Sequence, residues 1–304
     1  MSLTFSIITP VYNGSQYINK CIESVNKIEY DHNKIEHIII DDGSTDDTRK
    51  ICLKYAKKYK HIKFYSKSNG NWGSVINYVK KNKLVHNDYV VVCDADDIIL
   101  PHAFKIINKK SNNYDMIIGS FSIWDGKRIK YRVHTYHFLF KRIIIKKYPL
   151  HYFNPIMWPH FTYMSKKIFY STNSLREGVS YQDAFLYLEA YMNSKKVLYI
   201  RKIISIYWKY RQGSSVTSIS NNEKNIKILI DNLKIYEKRQ LITNFFYLLI
   251  GVPELRKYLI KNKIKFNFNK TNHPDFSGWP WWIRIFLRIM IIPIKRKLIN
   301  WTNN

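Results

Sequence analysis

Three apolar runs near the start of the chain, FSIITPVY, KIEHIIIDDGSTDD and DYVVVCDADD, each end abruptly in polar or acidic residues. Near-continuous Ile and Val runs of this length suit strands buried on both faces, as in a parallel sheet covered by helices. Helical spacing lies between them. Gln16 to Ile28 puts Ile18, Ile22 and Val25 on one stripe, STDDTRKICLKYAKKY opens on cap-forming and acidic residues, and GSVINYVKKN extends the alternation past the strand-like HIKFYSKS. Strands alternating with helices predict βαβ units and a doubly wound, mostly parallel α/β sheet. In such sheets ligands sit beyond the carboxyl ends of the strands. The segments TPVYN (9–13), DDGSTD (41–46) and CDADD (93–97) are therefore expected on one rim.

Beyond Pro101 the pattern loosens. YDMIIGSFSIW reads as another strand, residues 131–170 are aromatic and irregular, and YQDAFLYLEAYMNS reads as a helix. Residues 221–262 have helical character, and 267–278 form a polar linker containing Pro and Gly. The three cysteines, Cys21, Cys52 and Cys93, stand singly with no zinc-type spacing, as small core residues of a reducing compartment do. The N-terminus has no secretory pattern, and no uninterrupted apolar stretch reaches a spanning length, which predicts a soluble or peripheral cytoplasmic protein.

A formal charge of +28 raises two partner classes, nucleic acid and an anionic membrane. A general bias toward Lys, Asn, Ile and Tyr, as coding from an AT-rich genome produces, accounts for charge without any partner. Clustering distinguishes the two. Residues 279–301 carry tryptophans at both ends, an apolar middle, and Arg284, Arg288, Lys295, Arg296 and Lys297 with no acid. That pattern suits a helix lying in the headgroup region of an anionic bilayer, or an amphipathic helix docked on the protein or at a homodimer interface.

Asp94, Asp96 and Asp97 are like charges at a strand end, which persist with a compensating cation or solvent. Oxygen ligands with open positions are what Mg²⁺ or Mn²⁺ takes when shared with a phosphate. The alternative is that these carboxylates only cap the next helix. In DDGSTD, Ser44 or Thr45 can cap a helix and Asp46 and Asp47 favour its positive end, leaving Asp41 and Asp42 free to accept a base N–H. Tyr12 is placed to stack on a base or to pack. No P-loop or GxGxxG is present, so phosphates at this rim call for a metal.

The succession IITPVYNGSQYINKCIESV, IIIDDGSTDDT, NGNWGSVINYV and VVVCDADDIILP resembles the motifs of the family 2 glycosyltransferases, over roughly the first 100 residues and in order. The resemblance implies a GT-A, Rossmann-like sheet flanked by helices with a C-terminal helical extension. It implies that Thr9, Pro10 and Tyr12 border the uracil of a UDP-sugar, that Asp42 reads it, and that Asn71, Gly73 and Asn77 lie under the nucleotide. Asp94 and Ala95 then approach the ribose, and Asp96, with Asp94, ligates Mn²⁺ or Mg²⁺ on the donor diphosphate.

Family members place the general base of inverting transfer in an acidic pair at the start of a later helix. Here Asp183 takes the second position and Gln182 replaces the usual Glu, so Asp183 alone is expected as base, with helix capping as the plainer role. Arg211 in WKYRQGSSVTS matches the segment whose basic residue meets the diphosphate. Trp158, His160 and Gln182 fall where acceptor-pocket residues occur in relatives, although packing explains the first two equally. The expected layout is a catalytic domain over 1–215, with a nucleotide half (1–100) and an acceptor half (101–215), followed by a helical region over 216–304.

The resulting expectation is a metal-dependent, inverting transferase extending a glycan, lipid-linked at the inner membrane face. A protein or teichoic-acid acceptor and a non-catalytic nucleic-acid-binding protein are the alternatives. Carboxylates gathered on one rim would repel nucleic-acid phosphates, so no nucleic-acid partner is expected.

Overall fold

In a computed structural model of the chain, the described residues are 2–110, 113–133, 143–145, 161–178 and 182–208, with positions 230, 231, 234 and 262. The chain divides into two compact units, Met1–Leu150 with Ile156–Ser218, and His151–Pro155 with Ile219–Asn304. Every element named below lies in the first unit.

Its first part is β1 (Phe5–Val11), α1 (Ile18–Asn26), β2 (Ile35–Asp41), α2 (Thr48–Lys58), β3 (Ile62–Ser66), α3 (Asn71–Lys81) and β4 (Tyr89–Val92). There follow β5 (Ile98–Ile99), α4 (Ala103–Lys110), β6 (Met116–Trp124), β7 (Ile129–Val133), β8 (Ile143–Ile145), β9 (Thr162–Ser165), α5 (Lys166–Ser171), α6 (Asp183–Asn193) and β10 (Lys196–Trp208). One sheet runs in the order β3-β2-β1-β4-β9-β6-β10-β5, with β7 added to β6 and β8 to β10.

The parallel order expected from the apolar runs holds across β3, β2, β1 and β4. Beyond β4 the sheet is mixed. β9, from the stretch whose sequence reads as irregular, inserts antiparallel between β4 and β6, while β6 and β10 pair parallel. Only four residues long, β9 is too short to show a period in the sequence.

Every residue of β1, β2 and β4 is buried, which is why their sequences are dominated by Ile, Val and Phe with no regular apolar–polar alternation. Fully burying an Ile or Val side chain stabilises by roughly 1.5–3 kcal/mol, so these strands anchor the fold. Phe5 stacks on Phe104 of α4 at 4.1 Å between ring centroids, with Tyr163 of β9 edge-on to both.

Register brings the strand ends level. Val11 lies opposite Asp41 and Ile8 opposite Val92, and past the strands Asp42 N–H donates to Val11 O and Cys93 N–H to Ile8 O. The turn after β2 differs from expectation. The Asp46 carboxylate accepts from Thr48 at the start of α2, whereas Ser44 and Thr45 cross-link to the first loop: Asn13 N–H donates to Ser44 Oγ at 2.9 Å and Thr45 N–H to Asn13 Oδ1 at 2.8 Å. Gly43, at φ +76°, supplies the left-handed residue this turn requires.

Candidate active site

Above the ends of β1, β2 and β4 lies a cleft of about 250 Å³. The end of β1 and the loop after it contribute Pro10, Tyr12, Asn13 and Tyr17, the start of α3 contributes Asn71 and Trp72, and Asp42, Asp94, Ala95, Asp96 and Tyr207 are also part of the lining. Segments far apart in sequence converge because parallel strands end side by side.

Of the lining residues, Tyr12 is 53% exposed, whereas Asp42 is only 3% exposed and hydrogen-bonded through both carboxylate oxygens. Lys67 Nζ donates to Asp42 Oδ1 at 2.7 Å, and Gly70 N–H lies 3.2 Å from both carboxylate oxygens. Lys67 also reaches Ser74 Oγ, so the pair is built into the junction of β3 and α3. The ammonium thus holds the carboxylate in place, its other two N–H groups going to Ser68 O and Ser74 Oγ.

The floor is acidic. Asp94 is partly exposed in area yet set deep in the cleft, and burial, then the charges of Asp97 and Asp96, raise its carboxyl well above the usual range. Trp72 Nε1–H donates to Asp94 Oδ1 at 2.9 Å and works in the opposite direction. Asp97 is buried, and its Oδ1 accepts from Trp208 N–H at 3.3 Å, a structural contact at the end of β10.

Asp183 is the first residue of α6, near enough for its charge to contribute to raising Asp94, although it is not among the residues lining the cleft. Tyr207 of β10 lies within reach of Asp97, Asp96, Asp94 and Asp183. Burial first, and these carboxylates second, push its phenol up, so it stays a neutral hydroxyl. No group of three or more His, Cys, Asp or Glu converges as a metal cage among the described residues.

Four expected site residues have other tasks. Thr9 is buried beneath the cleft, with its Oγ1 2.9 Å from His37 Nε2, because the alternation of β1 turns it into the interior. Gly73 faces Leu175, Arg176 and Gln182: a Cβ there would lie 2.6 Å from Arg176 O, so glycine permits the close approach of two chain segments. Gln182 is 2% exposed, and its Oε1 accepts from Arg176 N–H at 3.0 Å, which makes it a strut within its own loop. Asn77 turns away from the nucleotide side and bonds to Leu175 and Glu177. Trp158, His160 and Arg211 lie outside the described residues.

Lys67, Trp72 and Tyr207 escape a reading of the sequence. An indole donor inside the NGNWG motif was a usable signal for Trp72. Lys67 and Tyr207 carry no local signal, since one is a lysine in a basic chain and the other an aromatic in a β-strand.

The family model described as "Glycosyl transferase family 2" matches residues 6–172. An uncharacterized glycosyltransferase of Mycoplasma genitalium is 32% identical over 279 residues, covering 91% of this chain and 90% of that protein. A second from the same organism is 32% identical over 294 residues, covering 95% and 96%. Among solved structures, Staphylococcus aureus TarS 1-349 in complex with UDP-GlcNAc aligns with a TM-score of 0.62 at 19% identity, over 91% of this chain and 76% of that one. The mannosyltransferase PcManGT from Pyrobaculum calidifontis, in complex with GDP-Man and Mn²⁺, gives 0.59 at 10%, over 86% and 75%. These two share the fold. The sequence matches, which span the strands and loops that form the cleft, show more: this chain is a glycosyltransferase and belongs to glycosyl transferase family 2.

Proposed function

We propose that the protein is a metal-dependent, inverting glycosyltransferase that moves a sugar from a UDP-sugar to a hydroxyl of a glycan acceptor, lipid-linked at the inner face of the cell membrane. The observation that carries this reading is that Asp94 and Asp96 line one cleft with Tyr12 and Asp42, while Asp183, on a different element, lies near enough for its charge to act on Asp94.

In this reading the base stacks on Tyr12 and its N–H donates to Asp42, whose carboxylate Lys67 holds in place. Asp94 and Asp96 fit a divalent ion by their chemistry. They are hard oxygen donors, the charge crowding that raises Asp94 is relieved by a cation, and two carboxylates without a third leave positions for diphosphate oxygens. Bound there, Mn²⁺ or Mg²⁺ supplies charge neutralisation of the departing diphosphate. The PcManGT complex, which holds Mn²⁺ with GDP-Man, is consistent with such a site, and the TarS complex with a UDP-sugar.

Asp183 acts as the base. Its carboxylate takes the proton of the acceptor hydroxyl as that oxygen bonds to the anomeric carbon. The carbon–oxygen bond to the diphosphate breaks on the opposite face, its electron pair leaves with UDP, and configuration inverts. Tyr207 keeps its proton and remains a hydrogen-bond donor among the carboxylates.

The working layout keeps a catalytic domain over 1–215 and a helical region over 216–304. Peripheral membrane attachment through 279–301 is proposed from its composition, as is its alternative, a homodimer contact. No helix among the described residues is long and apolar enough to cross a membrane.

Calorimetric titration with UDP, with and without Mn²⁺, extended to several UDP-sugars and one GDP-sugar, tests the reading. Metal-dependent UDP binding with one preferred sugar is expected. Binding of the GDP-sugar alone would overturn the base assignment, and no nucleotide binding at all would overturn the catalytic role of the cleft.

A further inference from the structure

We propose that Asn77 is a positioning residue for sugar transfer, holding Asp183 in register with the donor floor through the segment 172–178. This inference rests on the assignment of Asp183 as base. Asn77 is in the middle of α3 and does not line the cleft. Its side-chain amide is fully used on one stretch of backbone: Nδ2 donates to Leu175 O and Glu177 Oε1, both at 2.9 Å, and Oδ1 accepts from Leu175 N–H at 2.8 Å. A side chain that bonds both the N–H and the C=O of one residue replaces a strand partner and fixes that residue's place.

Asn77 belongs to a stripe. Residues 70, 73, 77 and 80 follow helical spacing and all four meet the same segment. Gly178 N–H donates to Gly70 O at 2.7 Å, Arg176 O crosses Gly73 where no Cβ fits, and Lys80 Nζ donates to Thr172 O at 3.0 Å and Asn173 O at 3.1 Å. The segment is held from its other side by the helix it leads to. Asn173 N–H donates to Glu189 of α6 at 2.9 Å, and Arg176 N–H donates to Gln182, the residue before Asp183.

The opposite side of α3 is committed to the donor. Trp72 holds Asp94, Ser74 is bonded to Lys67 in the Asp42 network, and Asn71 lines the cleft. One helix thus touches the floor and the strap that carries the base. The separation of Asp183 from the reacting carbon is set by the side chains joining α3 to 172–178, and Asn77 makes the central contacts. Misplacement of a catalytic group by about 1 Å costs on the order of 100-fold in rate, so a loosened strap slows transfer without touching nucleotide binding.

The test compares Asn77→Ala, Gly73→Ala and Asp183→Asn with the parent full-length protein, reading transfer kcat, donor KM and the Kd for UDP with Mn²⁺. Asn77→Ala is expected to lower kcat by about 10- to 100-fold, with UDP Kd and donor KM within about twofold. Gly73→Ala, which pushes on the same segment from the same helix, is expected to do likewise. It serves as the readout if Asn77→Ala does not melt cooperatively. An unchanged kcat in the variant that folds overturns the inference, and so does a loss of UDP affinity matching the loss of kcat, which would make Asn77 part of the nucleotide cradle. Asp183→Asn separates the two assignments. If it retains transfer, the base assignment fails. If it abolishes transfer while Asn77→Ala and Gly73→Ala do not slow it, the base stands and the positioning role alone fails.

Discussion

Trp72, the second residue of α3, donates its indole N–H to Asp94 Oδ1 at 2.9 Å across the floor of the cleft. The bond opposes the burial and the like charges that raise the Asp94 carboxyl, and it fixes the orientation of the carboxylate through Oδ1. Trp72→Phe keeps the bulk and removes the donor. We expect UDP affinity with Mn²⁺ to fall by about tenfold, in the range for a hydrogen bond to a charged group, with little change in chelator. Equal losses with and without metal would place the effect in packing.

Asp183→Asn preserves shape and hydrogen bonding at the start of α6 but cannot take a proton. Transfer is expected to fall by about 100- to 10,000-fold while UDP binding stays within about twofold. Single-turnover kinetics alongside calorimetry measure both. Turnover at the parent rate would remove Asp183 as base.

Lys67 and Asp42 form an ion pair whose side chains are 16% and 4% exposed. Removing one member leaves a buried charge, which typically costs 3–5 kcal/mol. Gly70 N–H and Ser74 Oγ still face Asp42, so Lys67→Met is expected at the low end, about 3 kcal/mol, with weakened UDP binding. Denaturant melts measure the first quantity and titration the second. A variant as stable as the parent would show the pair to be dispensable.

His37 is fully buried, and desolvation, then the neighbouring His61, lower its pKa from 6.5 to about 3. The unfolded chain therefore binds a proton there that the folded chain refuses. Folded stability is complete above about pH 6.5 and is lost as pH falls toward 3, at up to about 1.4 kcal/mol per pH unit from this group. Glu36, whose pKa is lowered from 4.5, acts in the same direction but at more acid pH, while His61, lowered from 6.5 by burial and by His32, shares the window from pH 6.5 to 5 with His37. His37→Gln should flatten the dependence of unfolding free energy on pH in that window. An unchanged slope would assign it to other histidines.

Deletion of residues 279–304 removes four tryptophans and the basic run without touching any residue of the cleft. Sedimentation with phosphatidylglycerol vesicles is expected to drop by at least about tenfold, while vesicles of neutral lipid show no difference. Activity on a soluble acceptor should persist. Undiminished binding to anionic vesicles would move the membrane contact elsewhere, and a change from dimer to monomer would favour the docking alternative.

The chain order of β1, β2, β3 and β4, the helices between them and the rim on which TPVYN, DDGSTD and CDADD meet were all legible in the sequence. Strands buried on both faces are mostly apolar, and the carboxylates that follow them mark where the strands stop. Tertiary structure decided what those groups touch. Asp42 acquires Lys67 from 25 positions away and Asp94 acquires Trp72 from 22, while the Asn77 contacts to Leu175 span 98. Such pairings depend on how helices pack across the sheet, and no local periodicity encodes them. The same holds for Thr9, Gly73 and Gln182, whose residue types suit a binding site but whose side chains or backbone face the interior. It holds also for β9, whose antiparallel place between β4 and β6 follows from the hydrogen-bonding edges left open once the parallel strands have paired.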